Sequence, residues 1–337
     1  MRVLAIRFSS LGDCVLLCPL LAHLKRAGAE EVVVLTKRAY IDVFAHADGV
    51  DRVLAIEPGT SLFDLARIGR SFREAARPGD VVIDAHANPR SRIVCAAAGG
   101  ADARFRKYYR ERAGLIVFKR PASLPTILEQ YAALAERAGF AAASLVPGGI
   151  RIPRAESETA ARRVGGGRPA VAVAPGSRWR AKRWSGFAAL CDGLVAAGRR
   201  VVLVGDARDR EFTAPIAASL TGHCVHAAGE STLIQSAALI ARCESFVGND
   251  SGLMHLAEAV GVPVTALFGP TVRAFGYAPS LQPSNTIERR LACRPCSRNG
   301  AAPCPKRTYE CLQGIRVDDV LSAVLRSGPS ERHRVVD

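Results

Sequence analysis

The chain has 337 residues, of which 49% are hydrophobic and 23% charged, and its 46 Lys and Arg against 31 Asp and Glu give a formal net charge of +15. The apolar fraction excludes a disordered chain, and ten cysteines over this length exclude a small disulfide-rich scaffold. A chain of this length usually forms about two domains. The excess of cations is compatible with three kinds of partner: nucleic acid, an anionic membrane surface and small anionic substrates. It is also compatible with an Arg-rich surface that is only solvated.

The sequence predicts no membrane-spanning segment. The longest uncharged run, residues 212–229, is broken by Pro215 and Gly222. Near the N-terminus an apolar stretch follows two arginines, as in a signal peptide, but Gly12 and Asp13 interrupt it and no small-residue cleavage site follows. We therefore expect a folded cytoplasmic start.

In the first half of the chain, strands alternate with helices. Apolar runs predict strands over residues 3–8, 31–36, 53–56 and 80–84, and helices are predicted over 14–26 and 62–76. Such alternation indicates βαβ units and a mostly parallel sheet.

The pattern starts again after a polar, Arg-rich stretch, residues 152–168, which is interpreted as a linker. Strands are predicted over 169–174, 200–205, 245–248 and 262–268, and helices over 187–197 and 253–260. The fold class predicted is therefore α/β with two successive Rossmann-like domains, residues 1–160 and 161–325, followed by a polar tail, 326–337.

Open α/β sheets bind ligands at the carboxyl ends of their strands. Four sequences fall there: residues 9–13, 84–91, 175–184 and 249–255. The chain has neither G-x-G-x-x-G nor G-x-x-x-x-G-K-[ST], so a dinucleotide dehydrogenase or a P-loop NTPase is unsupported.

The densest of these segments is 175–184, which holds four cations and both tryptophans of the chain. Ser177 can donate to a phosphate oxygen, and Lys182 and Arg183 can neutralise a diphosphate. The segment predicts an anion site, because a solvated basic loop would not need both tryptophans.

The segment 249–255 follows a strand and opens a helix. The amides of Ser251 and Gly252 suit a phosphate at a helix N-terminus. Two purely structural interpretations stay open: Asp250 could cap the helix, and His255 could be a histidine packed in the core.

Asp13 lies in a glycine-containing turn between a strand and a helix. Its carboxylate could act as a general base for a hydroxyl nucleophile. The alternative is a helix N-cap for residues 14–26.

Four cysteines form a cluster with the spacing Cys293-x2-Cys296-x7-Cys304-x6-Cys311. They could hold one structural zinc ion, and an iron–sulfur cluster is a less supported alternative. A loop of reduced thiols, or disulfides in an oxidising compartment, is the other interpretation. The remaining six are interpreted as core thiols: Cys14, Cys18, Cys95, Cys191, Cys224 and Cys243.

Taken together, four motifs resemble glycosyltransferase family 9, the heptosyltransferases of lipopolysaccharide core assembly. Their order and spacing match over nearly the whole chain, and the combination is specific although each motif alone is weak. The motifs are Arg7-Phe-Ser-Ser-Leu-Gly-Asp13, Pro175-Gly-Ser177 with Lys182-Arg-Trp184, Gly248-Asn-Asp-Ser-Gly-Leu-Met-His-Leu-Ala257 and Phe268-Gly-Pro-Thr271.

The resemblance implies a glycosyltransferase B-type fold, with two Rossmann-like domains facing across a cleft. It implies an inverting transfer that needs no metal, from a nucleotide-diphosphate sugar, typically ADP-heptose, on the C-terminal domain to a lipid A–Kdo acceptor on the N-terminal domain. Asp13 matches the catalytic base and Lys182 a lysine on the donor phosphates. The donor loop matches Asp250, Ser251, Gly252 and His255, Asp209 matches an acidic position near the nucleoside, and the acceptor side takes in Ser10, Gly12, Asp84, His86 and Arg90.

The partners implied are the nucleotide sugar, a lipid-linked anionic glycan and the inner face of the cytoplasmic membrane, where the protein would be peripheral. Transfer of another nucleotide sugar in cell-surface polysaccharide synthesis is the alternative within the enzymes. Outside them stands a basic nucleic-acid-binding protein, which the low aromatic content of 6% disfavours. A non-catalytic nucleotide-sugar-binding relative is disfavoured by the presence of Asp13.

Overall fold

A computed structural model describes residues 1–120 and 122–327 of the chain. By contacts between residues it divides into two units: Met1–Tyr108 with Pro125–Arg151, and Tyr109–Leu124 with the chain from Ile152 onward. This division falls after Arg151, somewhat before the predicted boundary at residue 160. It also assigns Tyr109–Leu124 to the second unit. No local sequence pattern predicts this assignment, because the contacts of the segment are with residues distant in sequence. Most of the predicted tail, 328–337, lies outside the described residues.

The first unit is built on a parallel sheet of five strands in the order β3-β2-β1-β4-β5. Its inner strands are almost wholly buried, as expected of a parallel sheet covered on both faces. The strands are β1 Arg2–Ile6, β2 Glu31–Lys37, β3 Arg52–Ile56, β4 Val81–Asp84 and β5 Ala103–Arg104, and the helices are α1 Leu11–Arg26, α2 Ile41–Ala45, α3 Leu62–Glu74, α4 Pro89–Ala97 and α6 Ile127–Arg137.

The second unit has a parallel sheet of six strands in the order β11-β10-β9-β6-β7-β8. The strands are β6 Ala170–Ala174, β7 Arg200–Leu203, β8 Cys224–His226, β9 Ser245–Asn249, β10 Val264–Phe268 and β11 Asn285–Glu288. The helices are α5 Tyr109–Val117, α7 Arg154–Val164, α8 Phe187–Ala196, α9 Arg210–Ser219, α10 Leu233–Ala241, α11 Gly252–Ala259, α12 Glu310–Gln313 and α13 Val317–Arg326. Two parallel α/β units confirm the predicted fold class.

The linker prediction for residues 152–168 is wrong over most of its length, because α7 occupies Arg154–Val164. Its Ala, Glu and Arg residues are good helix formers, and Arg154 Nε lies 2.8 Å from Glu158 Oε1 one turn later. Ala160 and Val164 are buried, so the helix belongs to the core of its unit. The helix was not predicted because the segment has low mean hydropathy and only one narrow face of the helix is apolar.

Within the described ranges, no helix is both long enough and apolar enough to cross a membrane.

Candidate active site

The loops after β1 and β4 meet at the carboxyl edge of the first sheet, because the two strands are parallel neighbours. Arg7 joins these loops: its Nη1 donates to Ala85 O at 2.5 Å, and its Nη2 lies 2.7 Å from Asp13 Oδ2. Both partners of this ion pair are buried residues. The geometry thus makes Arg7 a site residue. The sequence analysis includes Arg7 in a motif but does not predict a role for it.

The N-cap interpretation of Asp13 is wrong in detail, since the cap of α1 is Ser10 and Asp13 occupies the third helical position. The Ser10 hydroxyl and amide donate to Asp13 Oδ2 at 2.7 and 3.1 Å. The Tyr131 hydroxyl donates to Asp13 O at 3.2 Å. The carboxylate is therefore held in one orientation at the sheet edge by the capping box and by Arg7.

His86 lies beside this ion pair on the β4 loop, with its ring 5.3 Å from that of Phe8 in an edge contact. Burial, followed by the positive charges of Arg7 and Lys107, lowers the pKa of His86 to about 4. The imidazole is therefore neutral at pH 7 and can donate or accept a hydrogen bond.

The depressed pKa of His86 predicts a pH-dependent loss of stability. Between pH 6.5 and about 4 the unfolded chain binds a proton at His86 that the folded protein does not, so the free energy of unfolding falls as pH falls through this window. We expect His86→Gln to be less sensitive than the parent chain when urea unfolding is compared at pH 7 and pH 5. An unchanged pH response of His86→Gln would contradict the assignment.

The other predicted acceptor-side residues have different positions. Asp84 is fully buried, and its carboxylate accepts from Ala87 N at 2.7 Å and pairs with Arg104 Nε at 3.1 Å. It therefore holds the β4 loop in shape. Arg90 Nη2 donates to Thr60 O at 2.8 Å, Gly12 is buried, and Ser10 is exposed beside Asp13.

In the second unit, Lys182 and Asp250 form a nearly buried ion pair, with Nζ 2.6 Å from Oδ2 and side-chain exposures of 12% and 11%. The Thr271 hydroxyl donates to the same oxygen at 2.6 Å. Burial raises the pKa of the Asp250 carboxyl, but Lys182 and the hydrogen bonds outweigh it, so this pKa lies below its usual value. The predicted phosphate lysine is thus oriented by the predicted donor-loop aspartate.

A side chain also joins the loop after β6 to the end of β9, because Asn249 Nδ2 donates to Pro175 O at 2.7 Å. Within that loop, Arg183 Nε donates to Ser177 O at 2.7 Å. The argument that both tryptophans serve the anion site is wrong for Trp184, which is buried and packs on Phe187 at 5.1 Å. Trp184 belongs to the core of the second unit, where its indole is covered by apolar side chains.

Asp209 lies directly under the β6 loop. A Cβ built on Gly176 would stand 2.0 Å from Asp209 Oδ1, and one on Gly205 would stand 2.8 Å from its Cβ. Burial, the largest influence, raises the pKa of Asp209. The two glycines therefore make room for this carboxylate beside the loop that follows β6.

The N-cap of α11 is Ser251 and not Asp250, so the capping interpretation of Asp250 is wrong. Asp250 faces Lys182 and Thr271 instead. Gly252 begins the helix one turn before His255, which is buried with its Nδ1 3.7 Å from Glu258 Oε2. The core interpretation of His255 thus agrees with its burial.

The four clustered cysteines are free thiols in the structure, as are the six others, five of which are buried. Burial, followed by the neighbouring Cys293 and Cys304, raises the pKa of Cys296. Across residues 1–120 and 122–327, no three His, Cys, Asp or Glu side chains are arranged to hold a metal ion. The structural zinc stays a prediction, which metal analysis of the purified protein decides.

Two parallel α/β units, each with polar side chains at the carboxyl edge of its sheet, agree with the glycosyltransferase B-type fold class that the resemblance implies. The model of the family described as Glycosyltransferase family 9 (heptosyltransferase) matches residues 66–305. The chain belongs to this family, which confirms the predicted membership.

Individual relatives agree with this assignment. The chain is 40% identical over 133 residues to lipooligosaccharide heptosyltransferase 2 of Haemophilus influenzae, so the match spans 37% of this chain and only 38% of that protein's length. It is 28% identical over 296 residues to lipopolysaccharide heptosyltransferase 1 of Pseudomonas aeruginosa, covering 82% and 80% of the two chains. The solved structure of Escherichia coli ADP-heptose lps heptosyltransferase II superposes with a TM-score of 0.71 at 26% identity, covering 96% of this chain and 99% of that one.

Proposed function

We propose that the protein is an inverting glycosyltransferase that moves a heptose from ADP-heptose to a hydroxyl of a lipopolysaccharide core or lipid A–Kdo acceptor. The family supports the reaction class, and the name of the Escherichia coli relative supports the donor. The observation that carries the proposal is the pairing of Lys182 with Asp250 and Thr271 at the carboxyl edge of the second sheet. This arrangement holds an ammonium group where an open α/β sheet binds its ligand.

In the proposed reaction the donor lies on the second unit. Lys182 and the amides of Ser251 and Gly252 face the diphosphate, and Asp209 faces the nucleoside. The Lys182 ammonium and the helix amides stabilise the negative charge of the departing diphosphate, as a metal ion would, so no cofactor is required for catalysis. The ion pair with Asp250 orients the ammonium before the donor arrives, which limits the reorganisation needed during bond breaking.

The acceptor lies on the first unit, beside Asp13. The acceptor oxygen attacks the anomeric carbon from the face opposite the diphosphate while its proton passes to the Asp13 carboxylate. The bond from that carbon to the diphosphate oxygen breaks, and ADP leaves with the electron pair. Arg7 and Ser10 keep the carboxylate in position, and His86 is the neutral hydrogen-bonding group next to it.

A panel of nucleotide sugars tests the donor. Because a ligand that binds only the folded state raises its stability, we expect ADP-heptose and ADP to raise the melting temperature and UDP-sugars to leave it unchanged. ADP-heptose should also be hydrolysed slowly without acceptor, and consumed faster with solubilised Kdo-lipid A. Protection by a UDP-sugar alone would favour a different cell-surface glycosyltransferase.

A further inference from the structure

Helix α5 carries an apolar stripe on its exposed side. Tyr109 is 55% exposed and Val117 is 66% exposed, with Ala113 exposed midway between them, a spacing of four residues that places all three on one face. Phe118, directly after the helix, is 67% exposed. These aromatic and branched side chains lie where a solvated helix would carry polar ones, and we call this set the α5 stripe.

The opposite side of the helix is firmly attached to the second unit, so the exposure of the stripe is a property of the folded chain. Leu115 is buried, and the Arg112 guanidinium lies 5.8 Å from the Phe275 ring centre and 5.5 Å from that of Tyr277. After the helix, Lys119 Nζ donates to Cys293 O at 3.0 Å and to the carbonyl of Pro295. The helix therefore cannot turn its stripe inward without losing these contacts.

Cations lie at both ends of the stripe. Residues 106–120 contain six Lys or Arg and one acidic residue, Glu111, and two of the six, Arg112 and Lys119, are held against the second unit. Arg298 lies 5.4 Å from the Tyr109 ring centre and Arg120 lies 5.4 Å from that of Phe118. An exposed apolar strip bordered by cations and aromatic rings matches an interface with acyl chains below and anionic headgroups around it.

We infer that the α5 stripe and its cations bind the surface of an anionic phospholipid bilayer. Val117 and Phe118 enter the boundary between headgroups and acyl chains, while Arg110 and Arg120 contact lipid phosphates. The inference deepens the proposed function, on which it rests for the reason to visit a membrane: an acceptor that is itself anchored in lipid. It assigns that contact to one helix face of the second unit.

Vesicle sedimentation tests the inference. The full chain is expected to sediment with phosphatidylglycerol-containing vesicles, to remain in solution with pure phosphatidylcholine vesicles, and to be released at about 1 M salt, where charges are screened within about 3 Å. Val117→Ser with Phe118→Ser should lower binding strongly. Arg110→Gln with Arg120→Gln should lower it about twenty-fivefold, since each cation near the surface contributes a factor of about five.

Matched controls come from the same chain. Val146 is 68% exposed, and Val146→Ser removes an equally exposed apolar side chain elsewhere. Arg154→Gln with Arg316→Gln removes two exposed arginines of the same unit. Controls should bind vesicles like the parent chain, and all variants should keep its melting temperature, since they alter exposed side chains.

Binding of the α5 variants at the parent level would overturn the inference, as would a parent chain that transfers heptose to lipid-linked acceptor without binding anionic vesicles. Binding of duplex DNA through the stripe, with no binding to vesicles, would also overturn the inference. If the parent binds vesicles through the stripe but transfers no heptose to a deacylated acceptor in solution, the inference stands and the proposed function fails.

Discussion

Asp13→Asn is expected to abolish most of the sugar transfer, lowering kcat by about a hundredfold to ten-thousandfold, the usual contribution of a positioned general base. The amide can still accept from Ser10 and Arg7, so the capping box and the loop remain, but it cannot take a proton. Donor affinity should change little, because the donor is assigned to the other unit. Single-turnover kinetics with saturating donor separates the two effects.

Asp13→Ala should lose transfer by a similar or larger factor, but it also removes the carboxylate that pairs with the buried Arg7 and accepts from the Ser10 amide and hydroxyl at the start of α1. Its stability is therefore expected to fall, and for this reason the asparagine variant is the decisive one.

The control is Asp64→Asn, since Asp64 has the same relation to Ser61 at the start of α3: the Ser61 hydroxyl donates to Asp64 Oδ2 at 2.7 Å and Asp64 N donates to Ser61 Oγ at 3.1 Å. We expect Asp64→Asn to keep the parent activity. Equal loss of activity in Asp13→Asn and Asp64→Asn, or near-normal turnover of Asp13→Asn, would contradict the assignment of Asp13 as the base.

Lys182→Met is expected to weaken donor binding about tenfold to hundredfold, because a hydrogen bond from a charged group contributes about 1.5–3 kcal/mol. It should also destabilise the second unit, since it leaves the nearly buried Asp250 carboxylate without its cation. Breaking a buried pair costs about 3–5 kcal/mol, and the slight exposure of this one favours the lower end.

A second substitution distinguishes these two effects. Lys182→Met with Asp250→Asn removes the orphaned charge while keeping an acceptor for the Thr271 hydroxyl, so the melting temperature should recover. Donor binding, followed by calorimetry with ADP, should stay weak. Recovery of both would mean that the lysine is only structural. Lys25→Met, which breaks a half-exposed pair with Asp51, is the control and should cost less than about 1 kcal/mol.

Much of the fold could be predicted from the sequence, and the reason is the burial of its strands. Residues of β1, β6 and β10 are covered on both faces, so they form largely apolar runs that stand out locally. β5 and β8 are too short for a pattern, and β11 is only partly buried. Helix α7 was predicted as a linker because only two of its residues face the core.

The candidate site divides in the same way. The sequence alone determined which segments follow the carboxyl ends of parallel strands, and the chemical types there indicated a base and a phosphate lysine. That inference works because strand position and residue type are both local properties.

Only the tertiary structure decided which of these side chains meet. It placed Arg7 against Asp13 and Lys182 against Asp250 and Thr271, and it took Trp184 out of the site and into the core. It also left the α5 stripe uncovered while Leu115, on the other side of that helix, is buried. Such pairings depend on the register of strands and the packing of distant helices, and the burial that gives a charge its effect exists only once the chain has folded.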